Sequence, residues 1–393
     1  MKEHRFGALC LAAVLLVGLA GCAENPVSQC IAPGDTPERH FVSGMTALDK
    51  NEPALARGEL ERAVYCDGGY SAAYSGLAIV RAFDAARSVG TESEKAEREK
   101  TLALIGEADR HARTGEDAFD NYLAIMRVNT IMGGPRWLAK TEDAYEEAGR
   151  VILSGQGLTY YEGAESAHYF MGLAYLKAGE FQRARDMFRR VLDERKNGKW
   201  QGPADRAWKR TDKVSRAFAG TPEGYAGRKV AMQDFVTRAE LAALLVEGLK
   251  IDARALPAAA TPLDVGSSPF KADILTVLKW KIRGIELKYD APSKAYLFAP
   301  NDRVSRGEMA FILEDLLLKV KGDEGLARRY LGQEKSPFSD VGPTSRFYNA
   351  VMTVTSRGLM EGDLSGSFGV GTPLDGADAV LSIRMLRQVS GVP

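Results

Sequence analysis

From residue 236 onward, apolar and polar positions follow a pattern that returns twice. Val236-Thr237-Arg238-Ala239-Glu240-Leu241 leads into an apolar run from Ala242 to Leu249, and Leu241, Leu244, Leu245 and Leu249 share one helical face. The spacing predicts a helix that starts at Thr237. Thr237 caps the first turn, Glu240 reaches back to the cap's backbone N–H, and Val236 packs on Leu241 as a hydrophobic staple. Val304-Ser305-Arg306-Gly307-Glu308-Met309 repeats the signal ahead of Ala310 to Val320, and Leu374-Asp375-Gly376-Ala377-Asp378-Ala379 is a third, altered copy. The caps lie 68 and 70 residues apart (237 to 305, 305 to 375). A near-constant period marks a repeated structural unit.

The segments ahead of the second and third copies also agree. Leu263-Asp264-Val265, a helical run from Ala272 to Trp280, Gly284-Ile285 and Phe298-Ala299-Pro300 precede one. Ser339-Asp340-Val341, a run from Ala350 to Ser356, Gly358-Leu359 and Ser367-Phe368 precede the other. Each module reads as a loop, a helix, a Gly-closed turn, a short extended segment and a capped helix. Ahead of the first copy, Ala204 to Phe218 supplies a helix but no Asp-Val start is visible.

Residues 38–200 carry a different rhythm, that of paired amphipathic helices. In Ala167 to Phe188, Gly179 separates two such stretches, and the small residues Gly172 and Ala184 fall where the two helices cross. Gly44, Ala56, Leu60 and Ala63 hold the same offsets as Gly172, Ala184, Phe188 and Val191. Tyr74, Leu77 and Ala78 stand 34 residues after His40, Ser43 and Gly44. Between these, Glu94 to Arg113, Glu116 to Met132 and Arg136 to Leu153 are long helical patterns, which makes four hairpins with the middle ones enlarged. Tyr160, Tyr161, Tyr169, Phe170 and Tyr175 are candidates for a groove, although aromatic residues at helical spacing are more often hairpin core. His168 takes a packing position.

Composition narrows the chemistry. The 393 residues suit two or more domains. Lys plus Arg and Asp plus Glu number 52 each, so the net charge is zero and composition gives no case for nucleic acid. Only four His are present, and no phosphate-binding loop, His-Glu-x-x-His, Gly-x-Ser-x-Gly or Cys-x-x-Cys occurs. Neither catalysis nor a cofactor or metal is expected.

Three resemblances add to this reading. Lys2 and Arg5, then the apolar run Ala8 to Ala20, then Leu19-Ala20-Gly21-Cys22 resemble the signal peptide and lipobox of bacterial lipoproteins. That implies removal of residues 1–21, a lipidated Cys22 and a tail over 22–37. With Ala23 next, it also implies an outer-membrane anchor facing the periplasm. Cys30 and Cys66 are then an even pair in an oxidising compartment and the expected disulfide; the alternative is two buried thiols, because two cysteines carry no pairing geometry. The hairpins of 38–200 resemble tetratricopeptide repeats, which implies a solenoid with a groove for a protein partner. Residues 201–393 (about 201–255, 262–322 and 336–393) resemble S-layer homology modules. The expected fold is therefore mainly α, a tetratricopeptide-like hairpin solenoid followed by a pseudo-threefold helical bundle with short extended segments. The bundle resemblance implies binding of cell-wall polysaccharide or peptidoglycan in the grooves between modules.

The candidate glycan contacts are Arg238, Glu240, Arg306, Glu308, Asp264 and Asp340. Arg238 and Arg306 occupy the first helical position, where the helix dipole disfavours a cation. Either an anionic ligand or an internal ion pair, with Asp264 or Asp340, can compensate. The third module has Gly376 there, and Lys288 stands where a turn glycine is expected in the second, so at most two grooves are expected to work. The expected function is a non-catalytic envelope lipoprotein that tethers membrane to wall. The alternative is an accessory protein of a secretion or polysaccharide-export machine in which the modules are only structural.

Overall fold

The computed structural model describes residues 30, 32–154, 158–252, 256–257, 260–363 and 365–391. The expected signal peptide and the lipidated Cys22 lie outside the described residues. The described chain is mainly helical, with 15 α-helices and one two-stranded antiparallel hairpin. No helix among the described residues is long and apolar enough to cross a membrane. The chain packs as two compact units. One takes in the described residues up to 134 and those of 146–161; the other takes in 135–145 and the residues from 162 on.

In the first unit, α1 (Pro37–Asp49), α2 (Pro53–Cys66), α3 (Ser71–Arg87), α4 (Glu94–His111) and α5 (Gly115–Met132) follow in order. Local signals set their starts. Thr36 caps α1 with Pro37 behind it, and Thr114 with Asp117 forms a capping box on α5. The α1–α2 crossing depends on Gly44, where a Cβ would lie 2.6 Å from Leu60 Cγ. Ala56, Leu60 and Ala63 are fully buried beside it. Cys30 and Cys66 form a disulfide with their Cα atoms 5.0 Å apart. It closes a separation of 36 residues; constraining a loop of that length stabilises a fold by roughly 3–4 kcal/mol in the chain-entropy description.

Tyr160 and Tyr161, 1% exposed, are core residues of this unit. The Tyr160 hydroxyl donates to Asp49 Oδ1 at 2.6 Å, and Arg127 Nη1 donates to Tyr161 Oη at 3.4 Å. Burial pushes the Tyr161 phenol up to about 12, with the nearby Arg127 charge acting in the opposite sense. A raised folded-state value means that Tyr161 supports the fold fully below the ordinary phenol value of about 10 and loses that support as pH climbs from there through about 12. The first unit is therefore expected to unfold in that alkaline window, with tyrosinate absorbance and helical circular dichroism changing together. The absorbance difference against Tyr161→Phe isolates this phenol, and a Tyr161 signal that rises near pH 10 without loss of helix would count against its burial.

The helix α6 (Trp137–Arg150) contributes residues to both units. In the second unit, α7 (Glu165–Ala178) and α8 (Phe181–Glu194) form the Gly179-punctuated hairpin. Gly172 sits at its crossing, where a Cβ would come 2.5 Å from the Phe188 ring. Phe170 and Tyr175 are buried. His168 is held between Tyr145 Oη at 2.8 Å and Glu194 Oε1 at 2.9 Å. α8 packs on α9 (Gln201–Ala219), with the Phe181 and Phe218 rings 4.9 Å apart, so this hairpin belongs to the same compact unit as the modules.

After α10 (Ala226–Ala231) come α11 (Arg238–Leu249), α12 (Lys271–Lys279), the hairpin β1 (Lys288–Asp290) and β2 (Ala295–Leu297), α13 (Arg306–Lys321), α14 (Tyr348–Thr355) and α15 (Gly376–Ser390). The strands pair with Tyr289 opposite Tyr296, and Lys288 opens β1. α11 and α13 begin with the capping boxes Thr237–Glu240 and Ser305–Glu308, and on α15 the Asp375 side chain accepts from the Asp378 N–H. One apolar core runs through α9 to α15.

Candidate functional site

The three capped helices do more than repeat. Val236, Val304 and Leu374, the residues before the caps, are nearly or fully inaccessible. Their main chains close a ring: the Val236 N–H donates to Leu374 O at 2.9 Å, Val304 to Val236 O at 2.9 Å, and Leu374 to Val304 O at 2.8 Å. Each module thus gives one hydrogen bond to one neighbour and takes one from the other. The first N–H of each helix joins the same scheme. Arg238 donates to Asp302 O at 2.9 Å, Arg306 to Thr372 O at 3.0 Å and Gly376 to Gln233 O at 3.1 Å. Helix N-termini leave such donors without intrahelical partners; here the segment of the adjoining module satisfies them.

The arginine side chains lock two of the three junctions in the same way. Arg238, 2% exposed, donates from Nε to Phe298 O at 2.7 Å and from Nη2 to Glu286 O at 2.6 Å and Ile285 O at 3.2 Å. Its guanidinium carbon lies 4.9 Å from the centre of the Phe298 ring. Arg306 donates from Nε to Phe368 O at 2.9 Å, from Nη2 to Glu361 O at hydrogen-bond distance, and from Nη1 to Asp378 Oδ2 at 3.0 Å. It stands the same 4.9 Å over the Phe368 ring.

The aspartates hold the seats. Asp264 accepts from the Phe298 N–H at 3.0 Å and the Ala299 N–H at 2.6 Å. Asp340 accepts from Phe368 at 2.7 Å and Val370 at 2.8 Å. These backbone bonds work against burial and hold the Asp340 carboxyl below its ordinary value. Each junction therefore reads as one device: the aspartate of a module clamps its own Phe segment, and that segment offers a carbonyl and a ring face to the preceding module's arginine. The side chains of Asp264 and Asp340 bond backbone N–H groups and neither pairs with Arg238 or Arg306; of the two alternatives for compensation, the internal ion pair is present at Arg306, with Asp378 as its partner. Glu240 and Glu308 complete the caps, accepting from the Thr237 and Ser305 N–H groups at 3.0 and 2.8 Å.

The third junction is built differently. A Cβ on Gly376 would lie 1.6 Å from Val230 O and 2.6 Å from its carbonyl carbon. The last turn of α10 fills the place that a Phe segment and an arginine take elsewhere. Across this junction Lys213 Nζ of α9 pairs with Asp378 at 2.9 Å, the same carboxylate that receives Arg306 across the second junction. Sequence reasoning missed Asp378 and Lys213; the detectable signal was an aspartate at the position where the other copies have Glu240 and Glu308.

The arginines differ in access. Burial works against the Arg238 charge, with Glu308, Asp302 and Glu286 offsetting part of it, and no face of that guanidinium reaches solvent to any extent. The Arg306 side chain keeps 14% of its surface. Residues 337–380 match the model of the S-layer homology domain. That domain associates the C-terminal module with the cell surface or envelope. No curated protein and no solved structure matches the chain.

Proposed function

We propose that this chain is a non-catalytic envelope protein whose C-terminal modules bind cell-wall polysaccharide or peptidoglycan. A lipid on Cys22 would hold its other end at a membrane, and the helical hairpins of the first unit would engage a protein partner. The observation that carries the reading is the S-layer homology match over residues 337–380, together with the closed arrangement of three related modules that continues it. Among the candidate glycan contacts, Arg306 is the one to bet on. Its guanidinium lies at the junction of the second and third modules with some surface open, whereas Arg238 is fully engaged and buried. One working groove is then the expectation, where the repeated motif alone allows two.

Pelleting with wall material tests this. The protein is expected to sediment with purified sacculi or wall polysaccharide, and Arg306→Gln to weaken that binding about tenfold, the effect of losing one charge-assisted contact. Unfolding midpoints measured on the same samples separate a lost contact from a lost fold. Absence of binding to every wall fraction would remove the tether reading. It would favour the accessory-protein reading, which the internal use of Arg238 and Arg306 already suits.

A further inference from the structure

The second unit carries a cleft that the wall-binding reading does not use. It lies between α7, α9 and α10 and has a volume of about 530 Å³. That is within the range of about 300–1,000 Å³ usual for small-molecule sites. Its apolar lining includes Leu173, Val214 and Phe218. Among the described residues, every titratable one in its wall is a cation: Lys177, Arg210, Arg228 and Lys229.

Two of these cations are fixed from behind. Arg210 donates to Met232 O at 2.9 Å and pairs with Asp234; Arg228 donates to Thr221 O at 2.9 Å and faces the exposed Glu223 at 3.6 Å. Lys177 and Lys229 are exposed at the cleft, and Lys177 Nζ lies 5.5 Å from the centre of the Trp137 ring. Among the described residues no carboxylate lines the cavity.

We propose that this cleft binds a monomeric amphipathic anion, an apolar chain or ring that carries one carboxylate or phosphate. The apolar part would pack on Val214 and Phe218, and the anionic end would meet Lys177 and Lys229 at the mouth. Apolar surface with a few convergent charges is the general form of such a site, and the absence of lining carboxylates gives it its sign preference. The site is independent of Arg306 and of the grooves between modules.

The test uses the protein from residue 23 onward, which keeps both compact units, and follows tryptophan emission with calorimetry as a second readout. Dodecyl phosphate and dodecanoate are expected to bind with a stoichiometry of one. Dodecanol, dodecyltrimethylammonium and inorganic phosphate are expected to bind at least tenfold more weakly, because each lacks the charge, has the wrong sign or lacks the apolar body. Lys177→Gln with Lys229→Gln is expected to weaken the dodecyl phosphate affinity by roughly tenfold or more, and unfolding midpoints of the same samples separate a lost contact from a lost fold. Leu173→Trp, which fills the cleft, is expected to abolish binding. Equal affinity for the anionic and cationic amphiphiles would overturn the proposal, as would binding only to anionic vesicles or an affinity untouched by the lysine pair. Because wall pelleting is measured separately, failure here leaves the wall-binding reading standing, and the converse holds as well.

Discussion

Arg238→Ala is expected to destabilise the second unit by about 3–5 kcal/mol. The substitution leaves the carbonyls of Phe298, Ile285 and Glu286 without the donors they have now, and each buried unsatisfied group costs roughly 1–3 kcal/mol. It also removes the cation over the Phe298 ring and opens a cavity beside it. For a unit of this size the midpoint of thermal unfolding should fall by roughly 10 °C. Arg238→Lys should rescue little, because one ammonium cannot reproduce a planar fork that reaches two segments at once. Arg306→Ala should cost less, about 1–3 kcal/mol, since its side chain is partly open and water can replace the bond to Glu361 O. Calorimetric unfolding of the three variants gives the order directly. Equal, small losses at both positions would mean that the arginines are surface groups and not junction latches.

Gly376→Ala is the second large effect. Alanine is the better helix former by about 1 kcal/mol, and Gly376 heads α15, so local preference alone predicts stabilisation. The surroundings decide otherwise. The new methyl would lie 1.6 Å from Val230 O, and that atom is backbone at the end of α10, so α10 or α15 must shift and the third junction must open. A loss of about 4 kcal/mol or more is expected, in the range reserved for overpacking and lost networks. Gly342→Ala, where nothing lies within 4 Å of the added carbon, is the matched control and should be near neutral. Urea unfolding of the pair measures the contrast.

These two sites show what the sequence could and could not tell. The helix starts at Thr237, Ser305 and Asp375, their capping interactions and the buried apolar residue before each were legible, because capping and stapling act within a few residues. The hairpin crossings at Gly44 and Gly172 were legible for the same reason, since a small residue opposite a large one keeps a fixed offset. What the arginines touch was not legible. Their seats are backbone carbonyls at Phe298, Glu286, Phe368 and Glu361, and a carbonyl has no residue signature. Reasoning from charge therefore looked for Asp264 and Asp340 as partners, and these instead clamp the segments that carry the seats.

Two departures from the repeat turn out to be the two halves of one junction. The first module has no Asp-Val start ahead of its motif, and the third has glycine in place of arginine. Each arginine sits on the following module, and the third module is followed around the ring by the first. The module without a seat and the module without an arginine are therefore neighbours. Gly376 is not simply the erosion of a binding residue; it makes room for Val230. The wall-binding proposal shifts accordingly, from two matching guanidinium groups to Arg306 at the junction that retains both a seat and some open surface.

Amide hydrogen exchange at Val236, Val304 and Leu374 tests most directly whether the three modules close on one another. In the unaltered protein all three amides should exchange only through global opening of the unit, the most protected class. In Gly376→Ala all three should lose protection together, although only Leu374 and Val236 flank the altered junction. Retained protection at Val304 beside exposed Val236 and Leu374 would contradict the ring and leave three modules that merely pack side by side.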